Sequence, residues 1–174
     1  MMIFMKNFKR NLINFENVIF EKPSVARKRL VAIKAEFEAE GTTINELAIL
    51  SQFCRNSNLP LTLKIGGAIA QRDIYEAFQL GAQNILAPMI ESSFSLNYFT
   101  IIYSNVLKSF DKLNHRPKLY INIESKLAFE NIDEILGSIK NLKHQISGIV
   151  IGRSDLSESL NEKDEKKDKV EEAV

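Results

Sequence analysis

Charged side chains follow or end several short apolar runs of this 174-residue chain. Glu38, Glu91, Glu124 and Asp155 each come just after an apolar run, and Lys64 lies near the end of another. Carboxylates act as general acids and bases or as ligands of hard cations, and a lysine supplies a compact positive charge. If the runs are parallel strands, these groups meet at one rim of the sheet.

Glu124 and Asp155 form the pair with the clearest chemistry. Both follow runs that are otherwise apolar, so neighbouring strands would bring the two carboxylates within reach of one cation. Two hard oxygen ligands with open remaining positions suit Mg²⁺ or Mn²⁺, completed by water and by oxygens of a substrate. The sequence therefore predicts a divalent-metal site, and its histidines and single cysteine do not have the spacing of a zinc site.

The elements that must position these groups alternate along the chain. Continuous apolar runs of strand length are each followed by an amphipathic segment at helical spacing, which indicates parallel βα units. The predicted strands lie at 31–37, 61–65, 84–89, 119–123 and 148–151. A complete (β/α)8 barrel needs about 250 residues, so five units predict an incomplete TIM-type barrel or a smaller open α/β sheet.

Three segments differ in composition. Residues 1–30 carry apolar positions at mixed spacing and predict an N-terminal helical segment that covers the bottom of the barrel. Residues 31–160 contain the predicted barrel domain. Residues 161–174 are charged and nearly devoid of apolar anchors, which predicts a solvated helix or a disordered tail.

Composition excludes several classes of protein. The 23 basic and 22 acidic residues give a net charge of +1, too even for nucleic acid as the main partner. One cysteine forms no internal disulfide, and no apolar stretch approaches the roughly 18 residues of a membrane span. We therefore expect a cytoplasmic protein with a small-molecule ligand rather than a membrane partner.

Two motifs carry a resemblance to a known family. The stretch INIESKLAFENIDEIL…ISGIVIGRSDLSESL (residues 121–160) is similar to the metal-site region of the HpcH/HpaI aldolase and citrate lyase beta-chain family. GAQNILAPMIES (residues 81–92) resembles the Pro-Met-(apolar)-Glu motif of the same family. Resemblance extends over residues 31–160 and implies a (β/α)8 protein of the phosphoenolpyruvate/pyruvate superfamily.

That resemblance also implies roles for individual residues. Glu124 and Asp155 match the two metal ligands, and Gly152, Arg153 and Ser154 belong to the turn that approaches the carboxylate of a pyruvate-like substrate. The implied activity is that of a carbon–carbon lyase on a 2-keto acid or acyl-CoA-type substrate. Mg²⁺ or Mn²⁺ would act there as a Lewis acid that stabilises an enolate.

Two positions depart from the family's pattern. Where the family carries an arginine that holds the substrate oxyanion, the candidate here is Lys64, which lacks a bidentate fork. The Glu-His pair of the family's pyruvate aldolases corresponds to Glu38-Ala39, so Glu38 or Glu40 is the candidate for the missing general base.

These departures keep a second hypothesis open. The chain would then be a catalytically degenerate barrel fragment that binds a small acidic ligand or a partner chain. Missing strands leave sheet edges and the inner face uncovered, which predicts either a truncated barrel or two copies that complete one another.

Overall fold

A single parallel sheet of six strands, in the order β1 to β6, organises the fold. The computed structural model describes residues 2–4, 31–38, 41–110, 115–142 and 145–160. Its strands are β1 (Met2–Phe4), β2 (Ala32–Glu36), β3 (Leu61–Lys64), β4 (Asn84–Ala87), β5 (Lys118–Ile123) and β6 (Ile146–Ile151). The helices are α1 (Ile44–Asn56), α2 (Gln71–Gln79), α3 (Ser93–Ser109), α4 (Lys126–Glu130), α5 (Ile132–Asn141) and α6 (Arg153–Ser159).

All five predicted strands are present, and the structure adds one. Met2–Phe4 pairs in parallel with Ala32–Lys34, so the prediction of a wholly helical N-terminal segment is wrong for these three residues. A run of three residues is too short for a period of two or of 3.6 to be recognised. The remainder of that predicted segment and the predicted tail at 161–174 lie outside the described residues.

Local signals at the helix ends agree with the structure. Thr43 caps α1, and its hydroxyl and the Glu46 side chain form a reciprocal capping box. Gly81 follows α2 with φ = +69°, a conformation that favours glycine. The helical segment that follows β5 is divided at Asn131, whose side-chain amide donates to the Glu91 carbonyl at 2.9 Å. No helix among the described residues is long and apolar enough to cross a membrane.

The two faces of the sheet differ in chemistry. Side chains such as Ile33, Leu63 and Ile85 point outward into the hydrophobic core, where they pack with helical residues such as Leu50 and Phe99. Alternate residues of the same strands point to the inner face, because side chains in a strand alternate with a period of two. The outer face thus stabilises the fold and leaves the inner face for polar groups.

The strand order decides the fold class. A doubly wound sheet reverses its order at a switch point, whereas here each strand pairs with its sequence neighbours throughout. Consecutive parallel strands joined by helices are the arrangement of a TIM-type barrel. The chain is therefore an α/β protein with an incomplete (β/α) barrel.

Candidate functional site

A cavity of ≈ 1100 Å³ lies on the inner face of the sheet and extends to the carboxyl ends of the strands. Its rim at that end contains polar side chains from β2, β3 and β5 and from the segment after β6. These are Glu36, Lys64, Asn122, Glu124, Arg153, Ser154 and Asp155, and the backbone of Gly152 also lines the rim. The described strands thus bring most of the predicted site residues to one rim.

Glu124 is the most enclosed carboxylate of this rim, with 2% of its surface exposed. Its Oε1 accepts from the backbone N–H of Met89 at 3.1 Å. Its Oε2 accepts from the side-chain amide of Asn122 and from the Lys64 ammonium, the latter at 3.4 Å. Three donors from three strand ends therefore fix the orientation of this carboxylate.

The backbone around Glu124 is adapted to it at two points. Met89 has φ = +50°, a left-handed conformation rare for a side-chain-bearing residue, and its N–H is the one that reaches Glu124. A Cβ atom on Gly152 would lie 2.6 Å from Cβ and 3.0 Å from Oε2 of Glu124. Glu124 therefore occupies space that only a glycine at position 152 leaves open.

Asp155 lies beside Glu124 and forms a hydrogen bond with it. Burial raises the pKa of the Glu124 carboxyl above its usual range, and the Lys64 charge and the Met89 N–H oppose that rise. A hydrogen bond with Asp155 and its negative charge raise the Glu124 pKa further. The two carboxylates predicted to act together are thus neighbours, and Asp155 disfavours the ionisation of Glu124.

Lys64 connects this pair to β2. Its ammonium is 3.4 Å from Glu124 Oε2 and 3.9 Å from Glu36 Oε2. Glu36 in turn is paired through Oε1 with the ammonium of Lys34, which also lies on β2. A row of alternating charges therefore runs from the sheet interior to the rim.

Comparison with known proteins identifies the family. Residues 64–173, well over half of the chain, match the family model described as HpcH/HpaI aldolase/citrate lyase. The chain belongs to this family. Its members are aldolases and citrate lyases, so the general kind of function is that of a lyase-type enzyme.

Solved structures of HpcH/HpaI proteins share the fold. The chain superposes on the HpcH/HpaI aldolase from Desulfitobacterium hafniense DCB-2 with a TM-score of 0.73 at 15% identity, covering 99% of this chain and 69% of that one. For the citrate synthase SbnG the TM-score is 0.75 at 18% identity, with 99% and 69% covered. A family protein from Burkholderia cenocepacia J2315 gives 0.74 at 12% identity, with 99% and 71% covered. Comparison with curated proteins gave no significant match.

Of the two candidate bases of this HpcH/HpaI chain, Glu38 lies among the described residues and away from the cavity. Glu38 is not among the residues that line the cavity, and its side chain lies against Gly66. Burial raises the pKa of the nearby Asp73, and the charge of Glu38 raises it further. Glu40 lies outside the described residues. The role of general base therefore stays a prediction for both glutamates.

Sequence reasoning assigned no role to Lys34, Glu36 or Asn122. Glu36 is 8% exposed and Asn122 is 4% exposed, and both line the cavity. Their signal was the placement of a polar residue at every second position of an otherwise apolar strand, as in AIKAE and KLYINI. This pattern indicates a polar inner face, which an ordinary two-sided apolar strand lacks.

The donor chemistry of the rim fits one divalent cation. Among the described residues no three carboxylate, histidine or cysteine side chains form a metal-binding group, and Glu124 and Asp155 are the two neighbouring carboxylates at this rim. Magnesium is commonly held by one or two carboxylates, with water and substrate oxygens as the remaining ligands. A cation held by Glu124 and Asp155 would also favour the ionised form of Glu124, whose pKa is raised mainly by burial and further by Asp155.

Proposed function

We propose that this protein is a divalent-metal-dependent carbon–carbon lyase that acts on a 2-keto acid or acyl-CoA-type substrate. The observation that carries the proposal is the meeting of Glu124, Asp155 and Lys64 at the open rim of the cavity. Glu124 and Asp155 would hold Mg²⁺ or Mn²⁺. That ion, when bound, supplies Lewis acidity that favours negative charge on the substrate's carbonyl oxygen.

The chain's own residues bind and orient the substrate. Lys64 presents a positive charge next to Glu124, where an anionic oxygen of the substrate would lie. Gly152, Arg153 and Ser154 line the same rim after β6 and would contact the substrate's carboxylate. Because Glu124 and Lys64 are largely buried, their interactions are screened less by water than those of surface charges.

The metal ligands are tested by conservative substitutions. We expect Glu124→Gln and Asp155→Asn each to weaken Mn²⁺ binding at least tenfold, because each replaces an anionic ligand by a neutral amide. Electron paramagnetic resonance of free Mn²⁺ measures this affinity directly. Glu130→Gln, at an exposed glutamate of α4, is the matched control and should bind Mn²⁺ as the wild type does. Unchanged affinity in both site variants would remove the metal assignment.

The enolate chemistry has its own test. With Mn²⁺ bound, the protein should exchange the methyl protons of pyruvate for deuterium in D₂O, which proton NMR detects. Asp155→Asn should reduce the exchange rate in proportion to the loss of bound metal. Metal binding without any exchange, at saturating pyruvate, would contradict lyase chemistry on this substrate class.

A second candidate function is binding without turnover. It is favoured by the position of Glu38, which is not among the described residues lining the cavity, and by the cationic side chains that line it. Such a protein would bind oxalate or another small acid yet give no proton exchange with pyruvate. Completion of the barrel by a second copy belongs to this candidate, and light scattering after size-exclusion chromatography tests it.

A further inference from the structure

Lys34 is a buried charge that the proposed reaction does not use. It lies in the middle of β2 and is 6% exposed, within a strand whose five residues are all buried. Burial of an ammonium group is costly unless it is paired. The charge therefore needs a structural or functional explanation.

The contacts of Lys34 lead to the rim. Its ammonium is paired with Oε1 of Glu36, and the other oxygen of Glu36 lies 3.9 Å from the Lys64 ammonium. Lys64 lies closer to Glu124, at 3.4 Å from its Oε2. Glu36 thus stands between two cations, and Lys34 has the closer contact.

We propose that Lys34 is a positioning residue that acts through Glu36 to keep Lys64 at Glu124. With Lys34 present, the charge of Glu36 is largely compensated, so its pull on Lys64 is weak. Without Lys34, Lys64 is the nearest cation to Glu36 among the described residues, and Glu36 draws the Lys64 ammonium toward β2. The inference rests on the proposed function, since the consequence of this movement is weaker binding of an anionic substrate.

The chemistry of lysine explains the need for such a device. A guanidinium fixes its own orientation by two parallel hydrogen bonds to a carboxylate, whereas an ammonium is a point charge on a flexible stem. Lys64 is therefore positioned by the balance of charges around it. Lys34 affects that balance from the interior of the sheet. It is the inward-facing residue that precedes Glu36 on β2, two positions earlier in the sequence.

A double-mutant cycle between Lys34 and Lys64 tests the proposal. Oxalate serves as the anionic probe, and calorimetry at saturating Mn²⁺ measures its affinity in Lys34→Met, Lys64→Met and the double variant. We expect Lys34→Met to weaken oxalate binding about tenfold, and to have no further effect once Lys64 is replaced, because residues that act through each other are not additive. Equal losses in both backgrounds would overturn the proposal.

Two further variants separate positioning from simple stability. Lys34→Met/Glu36→Gln removes both charges of the buried pair, so oxalate affinity should return to within about threefold of the wild type, whereas affinity as low as in Lys34→Met contradicts the proposal. Lys140→Met, at an exposed lysine in the last turn of α5, is the control and should leave oxalate affinity unchanged.

A ligand-free measurement distinguishes this inference from the proposed function. Acetic anhydride labelling followed by mass spectrometry reports the reactivity of the Lys64 amine without metal or substrate. We expect at least a threefold drop in Lys34→Met, where Glu36 pairs directly with Lys64, and recovery in Lys34→Met/Glu36→Gln. Unchanged labelling in Lys34→Met overturns the positioning role, whereas failure of wild-type protein to bind Mn²⁺ overturns only the proposed function.

Discussion

At the scale of single residues, the site depends on neighbours that carry no charge. Glu124 is oriented by the backbone N–H of Met89, which requires a left-handed conformation, and by the empty space above Gly152. Neither residue has a side chain that would attract attention as catalytic. Their contribution is to fix one carboxylate where Lys64 and Asp155 also reach it.

Gly152 is therefore the most informative position for a neutral substitution. In Gly152→Ala the new methyl group would lie 2.6 Å from Glu124 Cβ, a distance that forces the glutamate to move. We expect a loss of Mn²⁺ affinity of about tenfold or more, because a ligand displaced from its supporting contacts binds metal 10- to 100-fold less well. Calorimetric titration with Mn²⁺ measures it.

Gly137 provides the matched control for this substitution. It lies within α5, and a Cβ atom there would meet nothing within 4 Å. Gly137→Ala should leave Mn²⁺ affinity unchanged and raise the unfolding free energy by about 0.5–1 kcal/mol, since alanine is the better helix residue. A similar loss of Mn²⁺ affinity in both variants would show that the effect at Gly152 is not local.

At the scale of elements, the short parallel strands place side chains at the rim of the cavity, and the helices fix where each strand begins and ends. The amphipathic segments predicted after the apolar runs are helices in the structure, and the apolar runs themselves predicted β2 to β6. Helix α1 shows most clearly how local side-chain hydrogen bonds fix the start of a helix. The first N–H groups of a helix have no partner within it, and here Thr43 and Glu46 each accept from the other's backbone N–H. The distance from the Thr43 nitrogen to Glu46 Oε2 is 3.0 Å.

Loss of this cap should be measurable in the stability of the whole protein. We expect Thr43→Ala to lower the unfolding free energy by about 1 kcal/mol, because the N–H of Glu46 loses its acceptor. Urea unfolding followed by circular dichroism measures the change. Thr42→Ala, one residue outside the capping box, should cost clearly less, and an equal cost at both positions would argue against the cap.

At the scale of the whole molecule, the sheet separates an apolar outer core from a charged interior. Lys34, Glu36 and Glu124 are all buried on the inner side, where a complete barrel is packed mainly by branched apolar side chains. Buried charges of this kind lower the net stability unless they are well paired. Glu124 stays costly to ionise despite its partners, because burial raises its pKa.

Glu124 makes this cost depend on pH. Burial raises its pKa in the folded protein above the unfolded value of 4.5, so the folded state binds the proton more tightly than the unfolded state. The contribution of Glu124 to stability is therefore largest below pH 4.5 and declines as pH rises through its folded pKa. In Glu124→Gln this decline should be absent.

Urea unfolding in metal-free buffer between pH 4 and pH 8 measures the difference in unfolding free energy between wild type and Glu124→Gln. The difference should move in favour of the variant as pH rises. Glu130→Gln, at an exposed glutamate that pairs with Lys126 four residues earlier, should show the pH dependence of the wild type. A difference between wild type and Glu124→Gln that is independent of pH would contradict the shifted pKa.

By itself the sequence determined the alternation of strands and helices and predicted the common sheet edge at which Glu124 and Asp155 lie. These follow from periodicity and from the shared direction of parallel strand ends. Only the tertiary structure decided that β1 joins the sheet and that Glu36 rather than Glu38 faces the cavity. The strand ends at Glu36, and beyond it the pleat no longer sets the direction of a side chain, so a glutamate two residues later turns toward Gly66 instead.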